Sequence, residues 1–439
     1  MSARRDREQM SRRLFLKATA ATAGATALGG LPGILAAGQA PAYPKGTKLH
    51  YLMQLHFIPA TDKVFMDQAE EFGKQMGVEI QVERIGQNDV PTRATAAVEM
   101  KSGPDIIQIQ NNFPHLLADG VVDVSDVAEP MGKAQGGYYD LPKANAFGGG
   151  RWLAVPHDVL SWAWNYRESW LQEVGYNKFP DTWEGFRDMG KKLKAKGHPV
   201  GCAFGHSTND PNNYCYALTW CFGGYEVQKD GKTVVLDKKG TLEALKLNTV
   251  MWKEAMDEGG LSWDDASNNR AFLAGSISVT GNSPSIYPVA RDKFPDVYKD
   301  MNHAPMPKGP AGRFYQLPTI SVMVMKYSKN QKLAKEFIKW FMAKERYEKW
   351  FDTADTFAIP PTKMWYDNPV WVRDRKNVVF RDVIKDALWP GYAGPASRNA
   401  SEAMAKYILV DMYAKAIQGT PPAEALKWAT AELKKIYAA

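Results

Sequence analysis

The chain has 439 residues, 45% hydrophobic and 23% charged, an ordinary globular composition that excludes disorder throughout and is long enough for two or three domains. Its net charge of +7 is concentrated at the N-terminus, where Arg4, Arg5, Arg7, Arg12, Arg13 and Lys17 face only Asp6 and Glu8. Subtracting that net +4 leaves +3 for the rest, too little to argue for nucleic acid as a partner, and no Lys/Arg cluster is interleaved with aromatics.

Ser11-Arg12-Arg13-Leu14-Phe15-Leu16-Lys17 precedes an uncharged stretch, Ala18 to Pro44, rich in Ala, Gly and Thr and broken by Gly24, Gly29, Gly30 and Pro32. A membrane-spanning helix needs about 20 strongly apolar residues, so a permanent anchor is not expected. The pattern, with Arg12 and Arg13 as its signature, resembles a bacterial twin-arginine export signal cleaved near 38–42. Residues 1–42 are therefore set apart, and the mature protein is expected in the periplasm. Cys202, Cys215 and Cys221 lie within twenty residues; three is an odd number for disulfides, none has metal spacing, and buried free thiols are the preferred reading.

Lys48 to Leu55 reads as a strand, followed by the loop His56 to Asp62. Phe65, Ala69, Phe72 and Met76 recur at helical spacing up to Gly77. Val78, Ile80 and Val82 alternate as a second strand; after the polar stretch Gly86 to Pro91, Thr92 to Met100 reads as helix and Asp105 to Ile109 as a third strand. This order predicts a mostly parallel sheet flanked by helices. Ligands collect at the carboxyl ends of such strands, which makes His56 and the loop Gln110, Asn111, Asn112 candidate contacts.

Gly148 to Trp170 predicts two buried strands, Trp152 to Val155 and Val159 to Trp164, joined by a polar step at His157-Asp158. The step is expected to be a lobe crossing facing a cleft. Adjacent strand residues point to opposite faces, so the pair is not expected to form a catalytic dyad; Asp158 is the preferred hydroxyl acceptor and His157 a pin for the hinge.

Asp181-Thr182-Trp183-Glu184 starts a helix that Gly197 stops, and Val200 to Phe204 reads as a strand. The run Gly205 to Asn213, with Asn209, Asp210 and Asn213, either caps the next helix or bonds many hydroxyls. Thr233 to Leu236 reads as a hairpin strand, Thr241 to Asp257 as a long helix, and Ile277 to Thr280 as a strand before the loop bearing Ser283, Ser285 and Tyr287. Pro-rich connectors at His303 to Pro310 and Phe357 to Pro361 predict further crossings. Thr319 to Val324 is a strand, Leu333 to Phe341 a helix, and two tail helices span about 401–418 and 422–437, preceded by an irregular segment carrying Tyr392 and Arg398.

Gly103-Pro104-Asp105-Ile106-Ile107, Trp162-Ala163-Trp164-Asn165 leading into Thr182-Trp183, Phe272-Leu273-Ala274-Gly275, Pro305 to Pro310, and Ser328 to Phe337 together resemble the sugar-type extracellular solute-binding proteins of ABC importers, the maltose-binding family. The resemblance covers nearly all of residues 47–437. It implies a two-lobed α/β fold of the class II type with three crossings at 156–159, 304–308 and 358–361. The lobes are then 43–155 plus 309–357, and 160–303 plus 362–439, closing on a ligand. It further implies a monomer that delivers its ligand to an inner-membrane ABC permease and ATPase, with no cofactor.

The family's stacking tryptophans are matched here by Ile109 or Gln110, by Ser285 and by Tyr392. Fewer rings imply a small carbohydrate or polyol rather than a long oligosaccharide. Arg398 leaves open an anionic organic solute. A metal complex is the third reading, should His56, His157 and His206 converge. An exported enzyme is disfavoured, since G-x-G-x-x-G with an acidic partner, C-x-x-C, H-E-x-x-H and G-x-S-x-G are all missing from the sequence; no catalytic and no metal-ligating residue is assigned.

Overall fold

The computed structural model describes residues 43–438; the export signal with Arg12 and Arg13 lies outside them. Among the described residues no helix is long and apolar enough to cross a membrane. Two sheets, each wrapped by its own helices, organise the chain.

The first sheet has six strands in the order Ala358–Ile359, Val155–Leu160, Thr319–Val324, Ile106–Gln110, Lys48–Gln54, Glu79–Ile85. Lys48–Gln54 pairs in parallel with both Glu79–Ile85 and Ile106–Gln110, as consecutive strand-helix-strand units require. The first crossover helix, Pro59–Met76, buries Phe65, Ala69, Phe72 and Met76 and ends at Gly77, whose φ of 67° is a left-handed cap that glycine adopts without a Cβ clash. The helix Gln331–Phe341 packs beside it through Phe337 and Phe341, which meet Phe65 and Phe72.

The second sheet has four strands in the order Met301–Ala304, Ala163–Arg167, Val279–Asn282, Val200–Gly201. Its core is a cluster of rings: Trp164 lies 4.5 Å from Phe186, and Trp183 and Tyr214 stand edge-on to it. Thr182 caps the helix Trp183–Ala195 by accepting a hydrogen bond from the Gly185 amide at 3.2 Å, the role its sequence position indicated. Neither sheet is mostly parallel. Strands that arrive from the other lobe enter antiparallel to their neighbours, so within these two sheets parallel pairing is left to the N-terminal three strands and to Val200–Gly201.

His157 and Asp158 are not at the first crossing. Both lie inside the strand Val155–Leu160, and the passage to the second sheet is made by Ser161 and Trp162 alone. Opposite them the register slips, Ile320 pairing with Asp158 but Ser321 with Pro156, so His157 is the extra residue of a β-bulge. A bulge re-aims side chains, and the His157 Nδ1 accordingly bonds the neighbouring Asp158 Oδ1, an arrangement that regular alternation forbids.

The later crossings also come after the proline-rich stretches. Lys308 N donates to Asp181 O at 2.7 Å and Ala311 N to Cys221 O at 2.9 Å, both partners in the second lobe. The transfer to the first sheet is thus made between Tyr315–Gln316 and Thr319. Beyond Ala358–Ile359, Lys363 and Met364 still bond to Gly137 O and Gln135 O in the first lobe. Proline forbids helix but does not choose the body that a segment packs on. Two further elements differ: the predicted helix 401–418 is two helices, Arg398–Ala405 and Ile408–Ile417, broken at Tyr407 with φ 54°, and Thr233 to Leu236 forms only a single bridge, Val227 to Val234. The three cysteines are buried free thiols.

Candidate functional site

Between the two sheets lies a cavity with unlike walls. Phe57, Leu160, Pro318 and Phe357 form the first-lobe wall; Asn209, Asp210, Asn213, Asp265, Asn282, Ser283 and Ser285 form the second-lobe wall. Phe57 and Phe357, whose centroids are 6.1 Å apart, belong with Leu160 to a small apolar cluster at the rim of the first sheet. The free space is about 10 Å³, room for roughly one water molecule, so the cleft is closed.

Hydrogen bonds across the cleft hold it shut. Gln87 Nε2 donates to Asp265 Oδ2, Gln87 Oε1 accepts from Asn209 Nδ2 at 3.0 Å, and Asn88 Oδ1 accepts from Thr208 N at 3.1 Å and Thr208 Oγ1 at 2.8 Å. Asn111, at φ 54°, donates to Thr208 O at 3.5 Å and accepts from Gln316 at 3.0 Å.

The second-lobe wall is the first turn of the helix Asp210–Cys221, all twelve of whose residues are buried. No side chain of the run Gly205 to Asn209 caps it. Asp265 does so from a distance, its carboxylate accepting from Asn209 N at 3.3 Å and Asp210 N at 2.8 Å, a carboxylate at the positive end of a helix. Asp210 accepts from Trp162 Nε1 at 3.2 Å and Asn268 Nδ2 at 2.8 Å. Burial raises both carboxyls, Asp265 to about 6 and Asp210 well above its ordinary range, where the like charge of Asp265 adds to burial. Asn209 Oδ1 and Asn213 Oδ1 are buried without a partner. Asn282 is held by Asn269, which also donates to Ser285 Oγ at 3.3 Å, and Ser283 donates to Ser161 O in the crossing itself.

A second cavity of about 10 Å³ lies wholly within the first lobe, lined by Gln54, His56, Asp62, Gln108, His157 and Asp158 with Met53, Phe65, Ile320 and Trp350. His157 stacks on Phe341 and stands edge-on to Trp350 at 4.4 Å. His56 Nδ1 accepts from Ile58 N at 2.9 Å, and burial, aided by His157, lowers its pKa to about 3. Burial likewise raises Asp62 and Asp158. Among the described residues no three His, Cys, Asp or Glu side chains gather as metal ligands; His206 is remote from His56 and His157, stacked on Tyr407 and paired with Asp411 at 2.7 Å.

Of the residues singled out in the sequence, Asn209, Asp210, Asn213, Ser283 and Ser285 meet in the interlobe cavity. Gln110 and Asn111 stand beside it, Gln110 bonded to Gln54; Asn112 is buried with both amide atoms unpartnered. His56, His157 and Asp158 fall in the cavity inside the first lobe. Three are elsewhere: Tyr287 bonds Asp374 and faces Tyr298 and His303, Tyr392 packs on Tyr225 and Trp389, and Arg398 is 59% exposed in a 3.3 Å pair with Asp119. The chief omissions are Asp265, Gln87 and Asn88. Gln87 and Asn88 sit in the polar stretch after the second strand, and Asp265 in the run Asp264 to Asn269, so short polar side chains beside a strand or helix end were their only signal.

The model of the bacterial extracellular solute-binding proteins matches residues 67–378. The chain belongs to this family. Among relatives of this solute-binding protein, a probable ABC transporter-binding protein of Deinococcus radiodurans is 24% identical over 351 residues, 76% of this chain and 80% of the relative. Its fold is similar to that of maltose-bound T. maritima MalE3, with TM-score 0.76 and 20% identity over 89% of this chain and 100% of the other. It is similar also to a solute-binding protein from Agrobacterium radiobacter in complex with ribitol, with TM-score 0.74 and 19% identity over 89% and 99%.

Proposed function

We propose that this protein captures a small hydroxyl-rich solute, a short carbohydrate or polyol, for an ABC importer. It works as a monomer in the periplasm after twin-arginine export, and hands its ligand to an inner-membrane permease and its ATPase. The observation that carries this reading is the pair of unlike walls around the interlobe cavity. Amides, hydroxyls and carboxylates on one side suit hydroxyl groups, and Phe57 with Phe357 on the other suits the C–H face of a sugar. The maltose and ribitol bound by proteins of similar fold and the name of the Deinococcus relative support it.

Closure to about 10 Å³ requires the lobes to part before any such ligand enters, which agrees with hinge motion about Ser161-Trp162 and the two later crossings. An anionic solute is disfavoured because no Lys or Arg lines the cavity. A thermal-shift screen of the mature protein against monosaccharides, disaccharides, polyols, sugar acids and amino sugars tests the reading, since a ligand bound only by the folded state raises the melting temperature. A shift confined to hydroxyl-rich solutes is expected; shifts with sugar acids alone, or with no member, would overturn it.

A further inference from the structure

We infer that the solute taken by this cleft carries an amine: the cavity is built for a small polyhydroxylated ammonium ion. The inference rests on the proposed function and narrows it.

The first observation is a pair of buried acids with no cationic side chain among the described residues that line their cavity. Asp210 and Asp265 are 6% and 5% exposed, line the same cavity, and are joined through the Asp210 amide at 2.8 Å. Among the described residues neither makes an ion pair; their partners are amides, an indole N–H and backbone N–H groups. No Lys, Arg or His lines the cavity. Two carboxyl groups buried against neutral donors alone are costly to ionise, a cost that a cation entering the cleft offsets.

The second observation is independent of charge. Asn209 and Asn213, both at least nine-tenths buried and both on the cavity wall, each leave a side-chain oxygen unpartnered. Both orphaned buried oxygens are acceptors. An ammonium group offers three donors and no acceptor, whereas a carboxylate, phosphate or sulfonate offers acceptors to acceptors. On the opposite wall, Phe57 and Phe357 supply rings, the side-chain type whose π-face attracts cations. A neutral polyol donates to the amide oxygens and the carboxyls but brings no positive charge to them.

The test compares matched solutes by calorimetric titration at pH 7.5 with the mature protein. One series is glucosamine, glucose, N-acetylglucosamine and glucuronate; the other is 1-amino-1-deoxysorbitol, sorbitol and gluconate; ethanolamine serves as an amine with a single hydroxyl. Within at least one series the amine should bind 10-fold or more tighter than its neutral parent, and the acid weakest. Asp265→Asn should then bring amine and parent within about 3-fold of each other. The wild-type ratio decides by itself if that variant does not fold. A neutral parent or acid binding as tightly as the amine overturns the amine inference and leaves the proposed function standing. Tight binding of ethanolamine with no gain from further hydroxyls overturns the polyhydroxylated part and with it the carbohydrate reading, and no binding by any member overturns both.

Discussion

Two cavities of the same size, one between the lobes and one inside the first lobe, respond differently to the same motion. The walls of the first belong to different sheets, so lobe opening enlarges it. Every residue around the second belongs to one lobe, and it widens only if the packing of Phe65, Phe341 and Trp350 is broken. His157 and Asp158 sit in the cavity inside the first lobe, while amides, hydroxyls and the Asp210 and Asp265 carboxyls line the one between the lobes. Binding by closure requires groups that converge from two bodies; a buried imidazole–carboxyl pair within one body serves the body's own packing.

That contrast breaks most visibly if the rigid cavity is emptied. His157→Ala removes a ring stacked on Phe341 and edge-on to Trp350 and takes away the Asp158 carboxyl's ring partner. It should cost about 3 kcal/mol in urea unfolding while leaving affinity for the screened ligand within two-fold.

Acid separates the two next, because His56 and Asp265 titrate with opposite sign. His56 has a folded pKa of about 3, below its ordinary value of 6.5; the folded state binds fewer protons across that window, so stability falls as pH drops from 6.5 toward 3. Asp265 has a folded pKa of about 6, above its ordinary 3.8; the folded state binds more protons there, and stability falls as pH rises from 3.8 to 6. Relative to the parent, His56→Gln should therefore gain about 1–2 kcal/mol at pH 4.5 compared with pH 7.5, and Asp265→Asn should gain a similar amount at pH 7.5 compared with pH 4.5. Unfolding curves at the two pH values check both.

Gln87→Ala removes the bonds to Asp265 and Asn209 across the cleft and should shift the ligand-free protein toward the open form at about 1 kcal/mol, seen as a larger radius of gyration in small-angle scattering. The smallest effect belongs to Arg398→Ala. Its exposed pair with Asp119 is worth less than about 0.5 kcal/mol, and ligand affinity should not change.

Periodicity made the two lobes readable: Phe65, Ala69, Phe72 and Met76 declare their helix, and Thr182-Trp183-Glu184 its cap. It could not reveal the bulge at His157, because one extra residue changes register only relative to Thr319–Val324, a strand 160 residues later. The cleft was half legible for a related reason. Asn209, Asp210 and Asn213 announce themselves as a dense polar run, whereas Asp265 matters through the amides it caps more than fifty residues upstream. Tyr392 and Arg398 were picked for residue type, and packing on Tyr225 and pairing with Asp119 use them elsewhere.

Whether the solute is held between the lobes or within one is decided by titrating the best ligand of the screen against Asn213→Ala and His157→Gln. Asn213 offers an unpartnered oxygen on the interlobe wall, and its loss should weaken binding by about 10-fold, near 1.4 kcal/mol, with His157→Gln within two-fold of the parent. Weak binding by His157→Gln and parental affinity in Asn213→Ala would contradict the account.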